Sequence, residues 1–276
     1  MEGPRFADPC PNHLPPELRL SFPFGTLRGT SIASRATALA VQELGFALDL
    51  GRLTPVIMQQ PTVFLTHAHL DHSSALAAYL NTRARFFREE KTTVWVPEPL
   101  PQDFLAAFAV LPGMHSVRKR IALEEVLRPA WDGTEVGLPW GHARAFATDH
   151  GVPSLGWAFY HRGSSRPFLV FAGDGDPWYF ASRPQLLDAQ VAVVECSLSG
   201  ENRRLAARLA RHAHILDWIE LAPRLCCEVL VLAHLPEEGL NTPTLLRRLQ
   251  ATFAGQLAVF SLPSPRSALE DEVFAR

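Results

Sequence analysis

The chain has 276 residues, of which 47% are hydrophobic, so it is long enough to bury one large core or two small ones. Lys and Arg total 26 and Asp and Glu total 28, giving a net charge of −2, which excludes the strongly basic balance of a general nucleic-acid binder. The N-terminal segment lacks the apolar core of a signal peptide, and no apolar run approaches the roughly 18 residues that a membrane span needs.

The cysteines indicate a reducing compartment. Cys10, Cys196, Cys226 and Cys227 form no CxxC pair and show no spacing typical of a disulfide framework. We therefore predict a cytoplasmic protein with no membrane contact.

Apolar runs and alternating patterns predict strands and helices that alternate in two similar halves. The predicted strands are 18–22, 45–51, 63–65, 92–96, 142–148, 155–161, 167–172, 189–195 and 228–233; the predicted helices are 73–83, 102–111, 203–221 and 242–253; residues 121–138 predict short strands around a turn. This order favours a layered α/β fold in which helices cover both outer faces of two packed sheets. Residues 1–16 predict an irregular proline-rich arm, 17–262 a single domain, and 263–276 a C-terminal tail.

The segment Thr66-His67-Ala68-His69-Leu70-Asp71-His72 lies where a predicted buried strand passes into a helix. Residues two apart in an extended segment project to the same side, so His67 and His69 are placed to hold one metal ion. Asp71 and His72, beyond the bend, are placed to face a second ion. A single histidine in such a position is usually a hydrogen-bonded core or surface residue, but burying three imidazoles and a carboxylate without a metal would leave several costly polar groups to satisfy.

Isolated polar residues recur at the ends of later predicted strands. His150 lies at a strand-to-turn junction, Asp174 follows an apolar strand, and His234 follows another. Each alone is a common turn or cap residue. Together with the run at His67 they indicate a metal site, because loops held by rigid strands carry functional groups.

This set resembles the metallo-β-lactamase superfamily over roughly residues 18–262. The resemblance implies a four-layer αββα fold and a dinuclear site with seven ligands. It implies that one metal is bound by His67, His69 and His150, that a second is bound by Asp71, His72 and His234, and that Asp174 bridges them. Asp49, in Ala-Leu-Asp-Leu-Gly, matches an early aspartate of the superfamily that orients the ligand loop.

Within the superfamily, four segments are similar to ribonuclease Z and its relatives. They are 44–51, 65–72, His-Gly-Val-Pro-Ser-Leu-Gly-Trp at 150–157, and Glu195-Cys196-Ser197 followed by His212-Ala213-His214. The match implies that Glu195 and His212 assist proton transfer or phosphate contact, and that Asp71 orients the attacking water as well as binding metal. A structural reading of Glu195 and His212 stays open, since a strand end and a helix explain them equally well.

The chain departs from that family in three places. The residue before His212 is Arg211 rather than glycine, and His234 is followed by Leu235-Pro236-Glu237-Glu238 rather than by phosphate-friendly groups. Only 24 positions separate His150 from Asp174, where members that process transfer RNA commonly insert a long arm that grips the tRNA. Arginine clusters such as 203–211 are either solvated helix faces or contacts for a phosphate backbone.

We therefore predict a dinuclear metal-dependent hydrolase, specifically a phosphodiesterase of the ribonuclease Z-like group without the tRNA-binding arm. Two divalent ions are expected, with zinc favoured and manganese or iron as alternatives. The substrate would be a small phosphodiester or an RNA 3′ end, and a homodimer is expected by analogy. Three alternatives were weighed: a thioester or lactone hydrolase of the same fold, a di-iron redox protein, and a non-enzymatic metal-binding module.

Overall fold

The computed structural model describes residues 5–6, 8–9, 17–111, 113–237, 240 and 242–261. Its strands are β1 (Arg5–Phe6), β2 (Asp8–Pro9), β3 (Leu18–Phe22), β4 (Gly25–Ile32), β5 (Ala36–Val41), β6 (Phe46–Leu48), β7 (Thr62–Phe64), β8 (Thr93–Pro97), β9 (Leu127–Ala130), β10 (Glu135–Leu138), β11 (Gly141–Ala147), β12 (Leu155–His161), β13 (Leu169–Phe171), β14 (Val191–Glu195), β15 (Val229–Ala233) and β16 (Gln256–Val259).

The helices occupy the intervals between these strands. They are α1 (Pro55–Met58), α2 (Leu70–Ser73), α3 (Leu76–Phe86), α4 (Leu100–Val110), α5 (Met114–Arg118), α6 (Leu123–Val126), α7 (Pro177–Ala181), α8 (Pro184–Leu187), α9 (Arg204–Leu209), α10 (Ile215–Leu221) and α11 (Pro243–Thr252). Within the described ranges, none of these helices has the length and apolar character needed to cross a membrane.

The strands form two eight-stranded sheets. One sheet has the order β2-β3-β4-β5-β6-β7-β8-β9 and the other the order β1-β16-β15-β14-β13-β12-β11-β10. In each sheet the strands that follow one another through a helix are parallel: β6 to β9 in the first, and β13 to β16 in the second. Because strands that run in the same direction end at the same edge of a sheet, the loops after β6, β7, β13, β14 and β15 can converge on one site. The loop after β11 can join them, since β11, like β13, is antiparallel to β12.

Three apolar clusters hold four layers together. The central cluster lies between the sheets and contains aromatic rings from both, including Phe46 stacked on Phe159 at 4.5 Å and Phe64 packed against Trp157 at 4.7 Å. A second cluster packs α1 and α3 to α6 on the outer face of the first sheet, and a third packs α7, α8, α10 and α11 on the outer face of the second. The predicted αββα layering is confirmed.

The sequence located most of the strands but missed several. It did not predict β4, β5 or β16, and it predicted strands alone over 121–138, where α6 also forms. The arm predicted as irregular contains β1, which pairs with β16, and β2, which pairs with β3. Two-residue strands carry too little alternation to be seen in a sequence. The predicted tail at 263–276 lies outside the described residues.

Two predicted helices are broken. The predicted helix 73–83 is interrupted at its start, because Ser73 ends the short helix α2 and α3 begins only at Leu76. The predicted helix 203–221 divides into α9 and α10. The second break has a local cause, since His214 caps the N-terminus of α10 and forms a capping box with Asp217. The break places His212 in a loop rather than on a helix face.

Gly51 follows β6 and packs against the backbone of β5 and of α2. Its N–H donates to the carbonyl of Thr37 at 2.9 Å, and its own carbonyl accepts from Ser74 Oγ at 3.0 Å. A Cβ at position 51 would lie 1.8 Å from the carbonyl oxygen of Asp71 and 2.7 Å from the amide nitrogen of Thr37. Backbone atoms cannot swing away, so this position requires glycine.

Gly51→Ala should therefore lower the free energy of unfolding by about 3 kcal/mol or more, as an overpacked core does. Urea denaturation measures the change. The control is Gly137→Ala in β10, because a Cβ there would meet no heavy atom within 4 Å. Equal stability of the two variants would contradict the close approach at Gly51.

Candidate metal centre

The loop from β7 to α2 carries four ligand-type side chains. The extended backbone ends at His69, the N-cap of α2, and the amide of His72 donates to the carbonyl of His69 at 2.9 Å. Ser73 Oγ donates to the carbonyls of Ala68 and His69 at 2.9 and 3.0 Å, which fixes the bend. The turn places Asp71 and His72 on a different side of the cluster from His67 and His69.

Three imidazole nitrogens from two loops converge on one point. His69 Nδ1 lies 3.1 Å from His67 Nε2 and 3.1 Å from His150 Nε2. A tetrahedral zinc ion with bonds of about 2.05 Å would hold its nitrogen ligands about 3.3 Å apart, so the spacing matches a shared cation. A hydrogen on His69 Nδ1 could be donated to only one of the two Nε2 atoms, so hydrogen bonding alone does not explain both short distances.

A second group lies beside the first. Asp71 Oδ2 is 3.8 Å from His72 Nε2 and 3.8 Å from His234 Nε2. These three residues offer ligand atoms that lie within 4.8 Å of one another, as do those of His67, His69 and His150. The two groups come from both sheets, since His150 and His234 follow β11 and β15 while the others follow β7.

Asp174 lies between the two groups. Its Oδ2 is 3.2 Å from His234 Nε2, 3.4 Å from His72 Nε2 and 3.9 Å from the Nε2 atoms of both His67 and His150. Asp174 is buried, so no bulk water satisfies the carboxylate. All seven residues that the sequence predicted as ligands are therefore brought together in one cluster.

Buried hydrogen bonds fix which nitrogen of His67 faces the cluster. Thr66 Oγ1 lies 2.9 Å from each oxygen of Asp49 and donates its single hydrogen to that carboxylate. The same Oγ1 lies 3.0 Å from His67 Nδ1, so it must accept the Nδ1 hydrogen. His67 Nε2 is thereby left as a lone pair directed into the cluster.

The same logic applies to His72 and His150. His72 Nδ1 donates to Asp49 Oδ2 at 2.8 Å, and His150 Nδ1 donates to the backbone carbonyl of Arg211 at 3.3 Å. In each ring the Nε2 atom is then the one that faces the cluster. Such outer partners raise ligand basicity and fix ring orientation in metal sites.

His234 is held by strands of the opposite sheet, through residues that the sequence did not single out. Its amide donates to Ser31 Oγ at 2.9 Å, and its Nδ1 lies 3.0 Å from Thr37 Oγ1. His234 has a left-handed backbone with φ of 51°, a conformation that a histidine adopts at some cost. Ser31 and Thr37 follow no motif, so only the pairing of β4 with β5 reveals them.

The electrostatics favour positive charge at the centre. Burial alone would raise the pKa of Asp174, but the charges of His234 and His72 hold that pKa well below its usual value. Burial would lower the pKa of His72, but Asp174 and Asp49 raise it well above its usual value. Burial, with the charge of His72, lowers the pKa of His67, and burial also lowers that of His150. His67 and His150 are thus held in the neutral form that binds metals.

Glu195 and His212 form a pair at the margin of the cluster. Glu195 Oε1 accepts from His212 Nδ1 at 2.9 Å and from the amides of Ala213 and Gly175 at 3.0 and 3.2 Å. Burial would lower the pKa of His212, but the hydrogen bond and charge of Glu195 outweigh burial and, with the charge of Asp174, raise the pKa to about 9. The predicted placement of both residues beside the ligands is what the structure shows.

Several charged side chains in the segments that follow or flank the cluster residues form ion pairs. Glu237, expected to repel a polyanion, lies 2.6 Å from Arg35, and Glu238 lies outside the described residues. In the arginine cluster 203–211, Arg204 pairs with Asp217 and Glu220, Arg208 pairs with Asp217, and Arg211 pairs with Asp149.

The donor set fits a pair of divalent cations. Six nitrogen or oxygen ligands around a shared carboxylate are typical of borderline cations such as zinc. His72 Nε2 is buried and has no hydrogen-bond partner among the described residues, although its other nitrogen is bonded. A buried ring nitrogen that has no hydrogen-bond partner and faces a carboxylate-lined centre is accounted for by a bound cation.

Thr66→Val should lower the free energy of unfolding of the metal-free protein by about 1–3 kcal/mol, because it removes one of the buried donors to Asp49 and leaves His67 Nδ1 without its hydroxyl partner. Chemical denaturation in the presence of a chelator measures this. Thr93→Val in β8 is the control, since the Thr93 hydroxyl has no hydrogen-bond partner in the part of the chain that the structure describes. A Thr66 variant as stable as the Thr93 variant would argue against the network.

Comparisons with known proteins place this geometry in a family. No protein-family model matches the chain. The chain is 33% identical over 135 residues to nuclear ribonuclease Z of Triticum aestivum, which covers 49% of this chain and 74% of the relative. It is 25% identical over 244 residues to the chloroplastic tRNase Z of Arabidopsis thaliana, which covers 75% of this chain and 66%, just under two thirds, of that protein.

Solved structures show the same fold. The metallo-β-lactamase fold protein YhfI from Bacillus subtilis superposes with a TM-score of 0.61 at 14% identity, covering 83% of this chain and 92% of that one. Human short-form tRNase Z superposes with a TM-score of 0.53 at 15% identity, covering 85% of this chain and 91% of that one. These two likenesses show the fold, and the wheat relative, 33% identical and covered over 74% of its length, shows the family. The chain belongs to the ribonuclease Z family of the metallo-β-lactamase fold.

Proposed function

We propose that this protein is a metal-dependent phosphodiesterase whose reaction takes place at the cluster around Asp174. The observation that carries the proposal is the gathering of six ligand-type side chains around the buried carboxylate of Asp174, with the Glu195–His212 pair beside them. The family relationship supports hydrolysis of a phosphodiester, because the named relatives are ribonucleases.

The ligand sets follow the two groups of the cluster. His67, His69 and His150 would hold one cation and Asp71, His72 and His234 the other, with Asp174 between them. We propose zinc, which suits histidine-rich mixed sites, over manganese or iron. When bound, two such cations polarise a phosphoryl oxygen and lower the pKa of a water molecule that they hold to near neutrality.

Two further groups act on protons. The Asp71 side chain is partly exposed, and its Oδ2 lies 3.8 Å from Nε2 of both His72 and His234, so it can orient the attacking water by accepting a hydrogen bond. His212 projects from the loop between α9 and α10 with its Nδ1 bonded to Glu195 and its ring 4.8 Å from that of His150. Its other nitrogen, Nε2, can donate a proton to the leaving oxygen, while Glu195 holds the ring in place.

The structure supports a small phosphodiester or a short RNA end as the substrate. Between His150 and Asp174 the chain forms only β12, β13 and their turns, so no remote arm extends from this connection. The arginines of α9 face acids of α10 rather than solvent alone. Remote grip on a long polyanion depends on free cationic contacts, and the two arginines of α9 are engaged with acids instead.

Metal removal and addition test the centre. Dialysis against a chelator should abolish phosphodiesterase activity, and titration with zinc should restore it at about two ions per chain, the number a shared two-metal site holds. The assay uses bis-p-nitrophenyl phosphate beside a thioester panel. Activity that survives full metal removal, or faster thioester hydrolysis, would overturn the proposed reaction.

Asp174→Ala should lower kcat/KM on bis-p-nitrophenyl phosphate by about a thousandfold or more, since the carboxylate shared by both groups is lost. Circular dichroism should show the fold retained. Asp103→Ala, on an exposed position of α4, is the matched control and should keep activity. A fully active Asp174 variant would refute the assignment.

This protein should cleave a precursor tRNA slowly, with a kcat/KM no higher than on a small phosphodiester. Remote contacts position the scissile bond and raise the catalytic step as well as affinity, and here they are few. The measurement is kcat/KM on a precursor tRNA and on a cyclic nucleotide under the same salt conditions. Cleavage of the tRNA after its discriminator base, faster by orders of magnitude, would show that the arginine clusters form the grip.

A further inference from the structure

Helix α9 ends in a motif that normally requires glycine. The amide of Arg211 donates to the carbonyl of Arg208 at 3.1 Å, and the amide of His212 donates to that of Ala207 at 2.9 Å, which is the pattern of a Schellman motif. Arg211 therefore has a left-handed backbone, with φ of 55°. A residue with a Cβ in this conformation stores strain that its surroundings must offset.

Two contacts to one neighbouring turn offset this strain. The carbonyl of Arg211 accepts from His150 Nδ1 at 3.3 Å, and its guanidinium lies 2.8 Å from Asp149 Oδ1. Asp149 is itself anchored, because its carbonyl accepts from the amide of Asp176 at 3.0 Å. The ion pair is about half exposed, so its effect is on conformation more than on overall stability.

The Schellman motif at the end of α9 sets the positions of two side chains, those of His150 and His212. His212 follows Arg211 directly, and its ring lies 4.8 Å from that of His150. The left-handed turn aims the Arg211 carbonyl at His150 and, at the same time, turns His212 toward Glu195. A change of φ at position 211 would therefore move one ligand and one proton-transfer group together.

We propose that Arg211 is a positioning residue of the metal centre. Its left-handed backbone, held by the ion pair with Asp149, presents the carbonyl that keeps His150 in the tautomer with hydrogen on Nδ1. This inference rests on the proposed function for the importance of His150 as a ligand. It concerns the backbone of residue 211 rather than contact of the guanidinium with substrate.

The test compares Arg211→Ala with Arg211→Gly. Alanine removes the ion pair and keeps the strain, whereas glycine removes the ion pair and relieves the strain, so glycine should retain the geometry. Zinc affinity, measured by competition with a chromophoric chelator, should fall about tenfold in the alanine variant and stay within about threefold in the glycine variant, since loss of an outer partner costs 10–100-fold. Arg144→Ala, which removes another half-exposed ion-paired arginine, should match the wild type.

A second readout uses the metal-free protein. Imidazole ¹⁵N spectra should show the Nδ1–H tautomer of His150 in the wild type and the glycine variant, and a mixture of tautomers in the alanine variant. Equal zinc affinity and unchanged spectra in all variants would overturn the inference, as would a glycine variant that loses as much as alanine. A wild type that binds no zinc would refute the proposed function, while the spectra would still decide the role of Arg211.

Discussion

The buried carboxylate of Asp49 is the contact on which the rest of the site depends. Asp49 has no solvent exposure and a left-handed backbone at the end of β6, and burial raises its pKa even though His72 and Thr66 oppose that shift. A buried charge must be fully paired. The donors that pair with it are the Thr66 amide at 2.6 Å, the Thr66 hydroxyl and His72 Nδ1, so satisfying one carboxylate fixes the loop that carries four of the predicted ligands.

The site forms at the seam between the sheets, and contacts across this seam explain why both halves are needed. Leu155 donates its amide to the carbonyl of Thr66 at 2.9 Å, and Trp157 Nε1 donates to the carbonyl of Leu65 at 3.3 Å. On the other side, Ala33 donates its amide to the carbonyl of Leu235 at 2.9 Å, next to His234. The aromatic core between the sheets thus sets, within each group, the distance between the ligands that follow β7 and the histidine supplied by the other sheet.

The sequence predicted which residues form the cluster, because they follow strands or fall in a dense motif. His150, Asp174 and His234 could be assigned from apolar runs followed by a single polar residue, and the layered fold follows from the alternation of strands and helices. The partners that orient these ligands could not be predicted in this way. Thr37 acts through a strand pairing, and Arg211 acts through its carbonyl, which carries no side-chain signal.

The loop around His212 is a second case in which the sequence pattern did not predict the local structure. The arginine-rich and apolar pattern of 203–221 favours one helix, and local capping by His214 and the left-handed turn at Arg211 override it. Helix propensity is a weak prior that a cap and a buried carboxylate can outweigh. Position 211 is where the left-handed turn favours glycine, the residue that the ribonuclease Z pattern has there. Arg211 replaces that glycine but keeps the left-handed backbone, with φ of 55°.

A crystal structure of the zinc-loaded protein, with anomalous data collected above and below the zinc edge, tests the central claim most directly. The account predicts two peaks about 3.5–4 Å apart. One should lie within about 2.2 Å of the facing nitrogens of His67, His69 and His150, and the other should lie beside Asp71, His72 and His234. Asp174 should contact both. The absence of a peak at this cluster, or peaks held by other residues, would contradict the account.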